Sequence, residues 1–87
     1  MRIAYRMRDA DLVARITAAA GDLSRSDRRV AEVILADPAG AAAMGMAPIA
    51  QRAQVSEPTV SRFCRRFGVA SFQEFRLELA AATRGPA

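Results

Sequence analysis

The chain has 87 residues, 52% of them apolar, with one cysteine and no histidine. That length supports one small domain with a single core, and the apolar share excludes disorder of the whole chain. Thirteen basic residues, all arginine, stand against nine acids for a net charge of +4, and an internal disulfide is excluded while a zinc site has almost nothing to ligate it.

The first predicted helix runs from Asp9 to Ala20, with Leu12, Val13, Ile16 and Ala20 on one stripe and Gly21 ending it. Ser24 caps the second, with Asp27 three residues on as a weak capping box. Val30, Ala31, Ile34 and Leu35 face its inside, and Asp37-Pro38 stops it. Residues 39–45, Ala-Gly-Ala-Ala-Ala-Met-Gly, lack periodicity and carry two glycines, which predicts a loosely packed connection in which Met44 and Met46 fill gaps. A third, short helix follows Gly45, with Pro48 tolerated in its first turn. The fourth has Ser56 as N-cap and Gly68 at the C′ position, followed by the apolar Val69. Its residues Val60, Phe63, Cys64 and Phe67 make one apolar stripe. The fifth starts at Ser71, with Glu74 completing a capping box and Phe72, Phe75 and Leu79 buried. Arg84-Gly-Pro-Ala reads as the start of a linker. The expected fold is all-α: a compact bundle of about five helices forming one domain over residues 1–87.

The third and fourth helices, spanning about 46–68, are joined by only Ala53-Gln54-Val55, which is the pattern of a helix-turn-helix. Such turns usually hold a glycine where this chain has Gln54, and a non-glycine residue at positive φ costs on the order of 1 kcal/mol. Once the buried stripe of the fourth helix is assigned, Glu57, Pro58, Thr59, Ser61, Arg62, Arg65 and Arg66 face outward. Four arginines and one acid fall between Ile49 and Gly68, whereas residues 1–43 hold seven arginines and six acids. A basic stripe confined to one segment points to a polyanion, double-stranded DNA in a helix-turn-helix, although on most helices such arginines are an ordinary solvated face. Arg62, one turn into the helix, is placed to fork onto guanine O6 and N7. Arg65 and Arg66 lie where a recognition helix leaves the groove, so they suit phosphates. Glu57 fits either cytosine N4 or the helix dipole, and Pro58 either a thymine methyl or the start of the helix. Ser56, Thr59 and Ser61 suit phosphate oxygens, although Ser56 also has capping to do. Arg25, Arg28 and Arg29 read as a solvated face paired with Asp27 and Glu32, with a DNA-backbone contact as the alternative. Cys64 reads as an inert buried residue.

"LSRSDRRVAEVILADP" followed by "IAQRAQVSEPTVSRFCRRFGVASFQEFRLELA" resembles the N-terminal domain of RpiR-type bacterial transcription regulators from Leu23 to Ala80. The shorter "VS..TVSR" also resembles LacI-type repressors, but those begin almost directly with the helix-turn-helix, whereas two helices precede it here. The resemblance implies a DNA-reading domain of a regulator of sugar or central carbon metabolism. It also implies a C-terminal sugar-isomerase-like sensor that binds phosphosugars, and this chain ends before such a domain would fit. A phosphosugar effector is therefore expected to act only through that missing domain. A homodimer is expected because one short recognition helix reads few base pairs; no pattern marks the surface used, for which the alanine-rich first helix is a candidate.

Other classes fit less well. The chain has no glycine-rich phosphate loop and no clustered carboxylates, so neither catalysis nor a cofactor is expected. No apolar run reaches a membrane span and no signal peptide opens the chain, which predicts a cytoplasmic protein. The rival reading is a helical module that uses the helix-turn-helix to dock proteins.

Overall fold

The computed structural model describes residues 11–84, and within them the chain forms six α-helices and one 3₁₀ turn with no strand. The helices are α1 (Leu12–Ala19), α2 (Arg25–Ala36), α3 (Pro38–Ala43), α4 (Met46–Ala53), α5 (Glu57–Arg66) and α6 (Phe72–Arg84), with the 3₁₀ turn at Ala20–Asp22. The all-α expectation is met.

Three helices start at the expected serines, whose side-chain oxygens satisfy backbone N–H groups that have no partner inside the helix. Ser24 Oγ accepts from the Asp27 amide at 3.2 Å, Ser56 Oγ from Thr59 at 3.3 Å and Ser71 Oγ from Glu74 at 3.2 Å. The first helix differs: Asp11 caps it, accepting from the Ala14 amide at 2.8 Å. Asp9, the expected start, and the tail at 85–87 lie outside the described residues.

Residues 39–45 are not a loose connection, because Pro38–Ala43 is helical. Asp37 ends α2 and caps α3 at the same time, accepting from the Gly40 amide at 3.1 Å. Pro38 stands in the first turn, where its missing N–H has no bond to make. Ala41 is fully buried, and α3 packs most extensively on α6. At the other end, Arg76 Nε donates to the Ala42 carbonyl at 3.0 Å and closes one orphan acceptor. A six-residue helix made largely of alanine has little contrast between its faces, so no period was there to read.

The core gathers Ile16, Ile34, Ile49, Phe63, Phe75 and Leu79, all fully buried. The Phe63 ring meets Phe75 edge-on, with centroids 6.1 Å apart at 77°, and leans on Phe67 at 4.9 Å. These aromatic contacts hold α5 against α6 from behind and leave its opposite side to solvent. Leu35, Phe67 and Phe72, expected inside, are only partly buried and pack around the core's edge.

Candidate nucleic-acid interface

The helix-turn-helix is built from α4 and α5, and its turn is closed by backbone bonds alone. The Val55 amide donates to the Ala50 carbonyl at 2.9 Å and the Gln54 amide to Gln51 at 3.2 Å. This crossed pair places Gln54 in the left-handed region, at φ 61° and ψ 44°. It is the one non-glycine residue with positive φ among the described residues, at the position inferred from the sequence. The far end of α5 repeats the arrangement with glycine. Gly68, at φ 82°, donates to the Arg65 carbonyl at 3.0 Å, and the Val69 amide to Cys64 at 3.2 Å. Val69 then tucks into the core, as the apolar residue after such a cap should.

Between these caps, one side of α5 is spent on folding. Val60, Phe63 and Cys64 are fully buried. Burial in apolar surroundings pushes the Cys64 thiol up to about 11, which keeps it protonated and unreactive. The other side presents Glu57, Pro58, Arg62 and Arg65 as exposed residues, with Ser61 partly exposed. Together with Met46 at the start of α4 they line an open cleft along the outer face of the helix. Met46, expected to fill a gap, is partly buried against the core, and from the first helical position of α4 it also borders the face that α5 presents. Its position at the head of the first helix of the pair is the signal that could have found it.

Thr59 corrects the outward set. It is only 9% exposed, because position 59 lies four residues before Phe63 and on the edge of the buried stripe. Its hydroxyl is bonded to Ser56 Oγ at 3.0 Å and receives Arg62 Nη2 at 3.4 Å. Ser56, Thr59 and Arg62 thus form one chain of side chains at the head of the helix. Arg65 Nη1 donates to Ser61 Oγ at 3.1 Å, which lays its guanidinium back along the exposed face.

Arg15 and Arg76 are structural: Arg15 Nη1 donates to the Phe67 carbonyl at 3.0 Å, and its Nη2 pairs with Glu78 at 2.7 Å. The end of α5 is therefore tied to α1 and α6 by a long-range contact that no local pattern announces. Arg66 reaches Asp27 on α2, at 4.0 Å. That contact corrects the reading of Arg25, Arg28 and Arg29 as paired with Asp27 and Glu32: among the described residues none of the three has a carboxylate within 4.0 Å. They line an open groove with Glu32 on the outer face of α2. Among the described residues no group of acids, cysteine and histidine could hold a metal, and no helix is long and apolar enough to cross a membrane.

Residues 10–84 match the model of a family described as the helix-turn-helix domain, rpiR family. The chain is similar to the HTH-type transcriptional regulator HexR of Pseudomonas aeruginosa, 44% identical over 80% of this chain and 25% of that protein. It is also similar to HexR of Escherichia coli, 53% identical over 67% of this chain and 20% of that protein. A third similarity, 40% over 72% of this chain, is to 10% of the bifunctional protein glk of Burkholderia pseudomallei. The matched stretch thus spans 25% and 20% of the lengths of the two HexR regulators.

Proposed function

The chain belongs to the helix-turn-helix domains of the rpiR family, and we propose that it reads duplex DNA with α5 lying in the major groove. One observation carries this: α5 is capped at both ends and buried on one side, and its free side presents Arg62 and Arg65 beside Ser61, Pro58 and Glu57. A helix about 10 Å across fits a major groove about 12 Å wide, and its first two turns meet the base edges. Arg62 forks onto a guanine, oriented from behind by the Thr59 hydroxyl. Glu57 and Pro58 lie nearest the groove floor, next to a cytosine amino group and a thymine methyl. Arg65 and Arg66 contact phosphates with Ser56 and Ser61, and Thr59 acts through Ser56 and Arg62 rather than on DNA itself.

The relatives named HexR are transcriptional regulators, which supports the same role for this chain in the cytoplasm, as the DNA-reading part of a regulator of sugar or carbon metabolism. Two copies bind paired half-sites as a homodimer, and a phosphosugar effector acts through a sensor domain outside these residues. The chain itself catalyses nothing in this reading. The test is selection of bound sequences from random duplex DNA, followed by titration of the winner at several salt concentrations. A common short motif and an affinity that falls steeply with salt are expected. Recovery of no motif, with salt-independent binding to proteins instead, would replace DNA reading by protein docking.

A further inference from the structure

Arg25, Arg28 and Arg29 have no structural explanation in the fold. Arg25 is the first residue of α2 and Arg28 the fourth, at the end of a helix whose dipole disfavours positive charge. No carboxylate among the described residues lies within 4.0 Å of any of the three. The two acids assigned to them are engaged differently. Asp27 turns to Arg66, and Glu32 lines the groove without reaching an arginine at that distance. All three guanidinium groups are exposed on one face, as spacing at i, i+3 and i+4 requires.

The placement of α2 supplies what local pattern does not. The contact of Asp27 with Arg66 sets the start of α2 beside the end of α5. A second cleft, bounded by Arg29, Val33 and Ala36 on one side and Arg52 and Gln54 on the other, sets the middle of α2 beside the turn that precedes α5. The second helix therefore runs along one flank of α5 in the opposite direction, while Met46 at the head of α4 borders the outer face of α5. A helix seated in the major groove has a phosphate strand on each side. On the α2 side, these arginines and Arg52 are exposed cations able to meet that strand.

We propose that the Arg25, Arg28 and Arg29 face of α2 is a second DNA-contacting surface that grips phosphates bordering the groove and fixes the register of α5 without reading sequence. This rests on α5 being the recognition helix. Arginine is suited to it, since its fork matches two phosphate oxygens and stays charged at any relevant pH. Repulsion among the three, tolerated in the free protein, is relieved when phosphates enter the groove that they line. Glu32 is the one acid that lines this groove.

The test compares four proteins on the selected duplex and on a scrambled one, across a salt series, the fourth a lysine triple. The first is the unaltered chain. The second carries Arg25→Gln, Arg28→Gln and Arg29→Gln. The third carries Gln73→Glu, Leu77→Glu and Ala81→Glu on the exposed side of α6, which changes net charge by the same three units on another face. The glutamine triple should lose the same factor in affinity on both duplexes, keep its preference between them, and show a salt slope shallower by about 1 per arginine removed. The glutamate triple should change the slope little. A lysine triple at 25, 28 and 29 should recover most of the affinity, because a point charge still neutralises phosphate. An unchanged affinity and slope for the glutamine triple overturns the proposal while leaving α5 as the reading helix, as do equal effects of the two triples or capture of an acidic protein in place of DNA. Absence of duplex binding by the unaltered chain sinks the reading of α5 instead.

Discussion

Gln54 holds a conformation that L-residues adopt at a cost on the order of 1 kcal/mol, and its exposed side chain donates and accepts no hydrogen bond among the described residues. Gln54→Gly therefore removes strain and no hydrogen bond, with part of the gain offset by the greater freedom of glycine in the unfolded chain. The expected outcome is a domain more stable by up to about 1 kcal/mol in thermal or urea unfolding. Equal or lower stability would mean that the left-handed conformation at 54 carries no strain beyond what the freedom of glycine offsets. On the reading face, Arg62 and Arg65 are one turn apart yet differ in consequence. Arg62→Ala should cost about 1–3 kcal/mol on the preferred duplex and relax choice at one base pair. Arg65→Ala should weaken all duplexes alike and lower the salt slope by about 1. Competition titrations with single-base variants separate the two, and sequence-blind losses for both would remove Arg62 from the reading set.

At the scale of the element, α5 depends on Ser56 for two things at once. Its Oγ caps the helix through the Thr59 amide and orients the Thr59 hydroxyl that supports Arg62. Ser56→Ala should destabilise the domain by about 1 kcal/mol, the usual loss on removing such a cap. Ser56→Asp should keep the stability, because a carboxylate caps well and favours the positive end of the helix dipole. The same charge then faces the phosphates, so duplex binding should weaken in Ser56→Asp although the fold is sound. Unfolding curves and binding isotherms on the same two variants decide it. Parallel changes in both quantities would mean that Ser56 is a cap and lies away from DNA. The α3 segment teaches the complementary point. Its helix exists because Asp37 and Arg76 close its two ends and because its alanines allow close approach to α6; the cap, the arginine and the helix it packs on all lie outside the seven residues at 39–45.

For the molecule as a whole, the interior is occupied. Side chains from all six helices fill one small core, and the clefts that remain along α2 and α5 are open to solvent. A phosphosugar site needs donors converging in a concavity that also recognises hydroxyls. An open arginine-lined groove attracts phosphate but cannot tell one sugar from another. Titrating phosphosugars during duplex binding should therefore shift the affinity no more than inorganic phosphate does at matched ionic strength. A sugar that shifts it well beyond that control would place an effector site within these 87 residues.

What the sequence by itself determined are the features written in short-range chemistry. The capping serines, the buried stripe of α5, the strained turn at Gln54 and the glycine after α5 are all set by residues within about one turn of each other, where hydrogen-bond geometry and helical period leave little choice. Tertiary structure alone decided the rest. Thr59 was withdrawn from the surface because the edge of the stripe is defined by what packs on it, and Arg15 was drawn to the carbonyl of Phe67 across 52 positions. Asp27 was turned from its own helix to Arg66, which left three arginines of α2 without an acid. Charges act through space, and which opposite charge a side chain finds depends on how helices are set side by side, a quantity that no local period encodes.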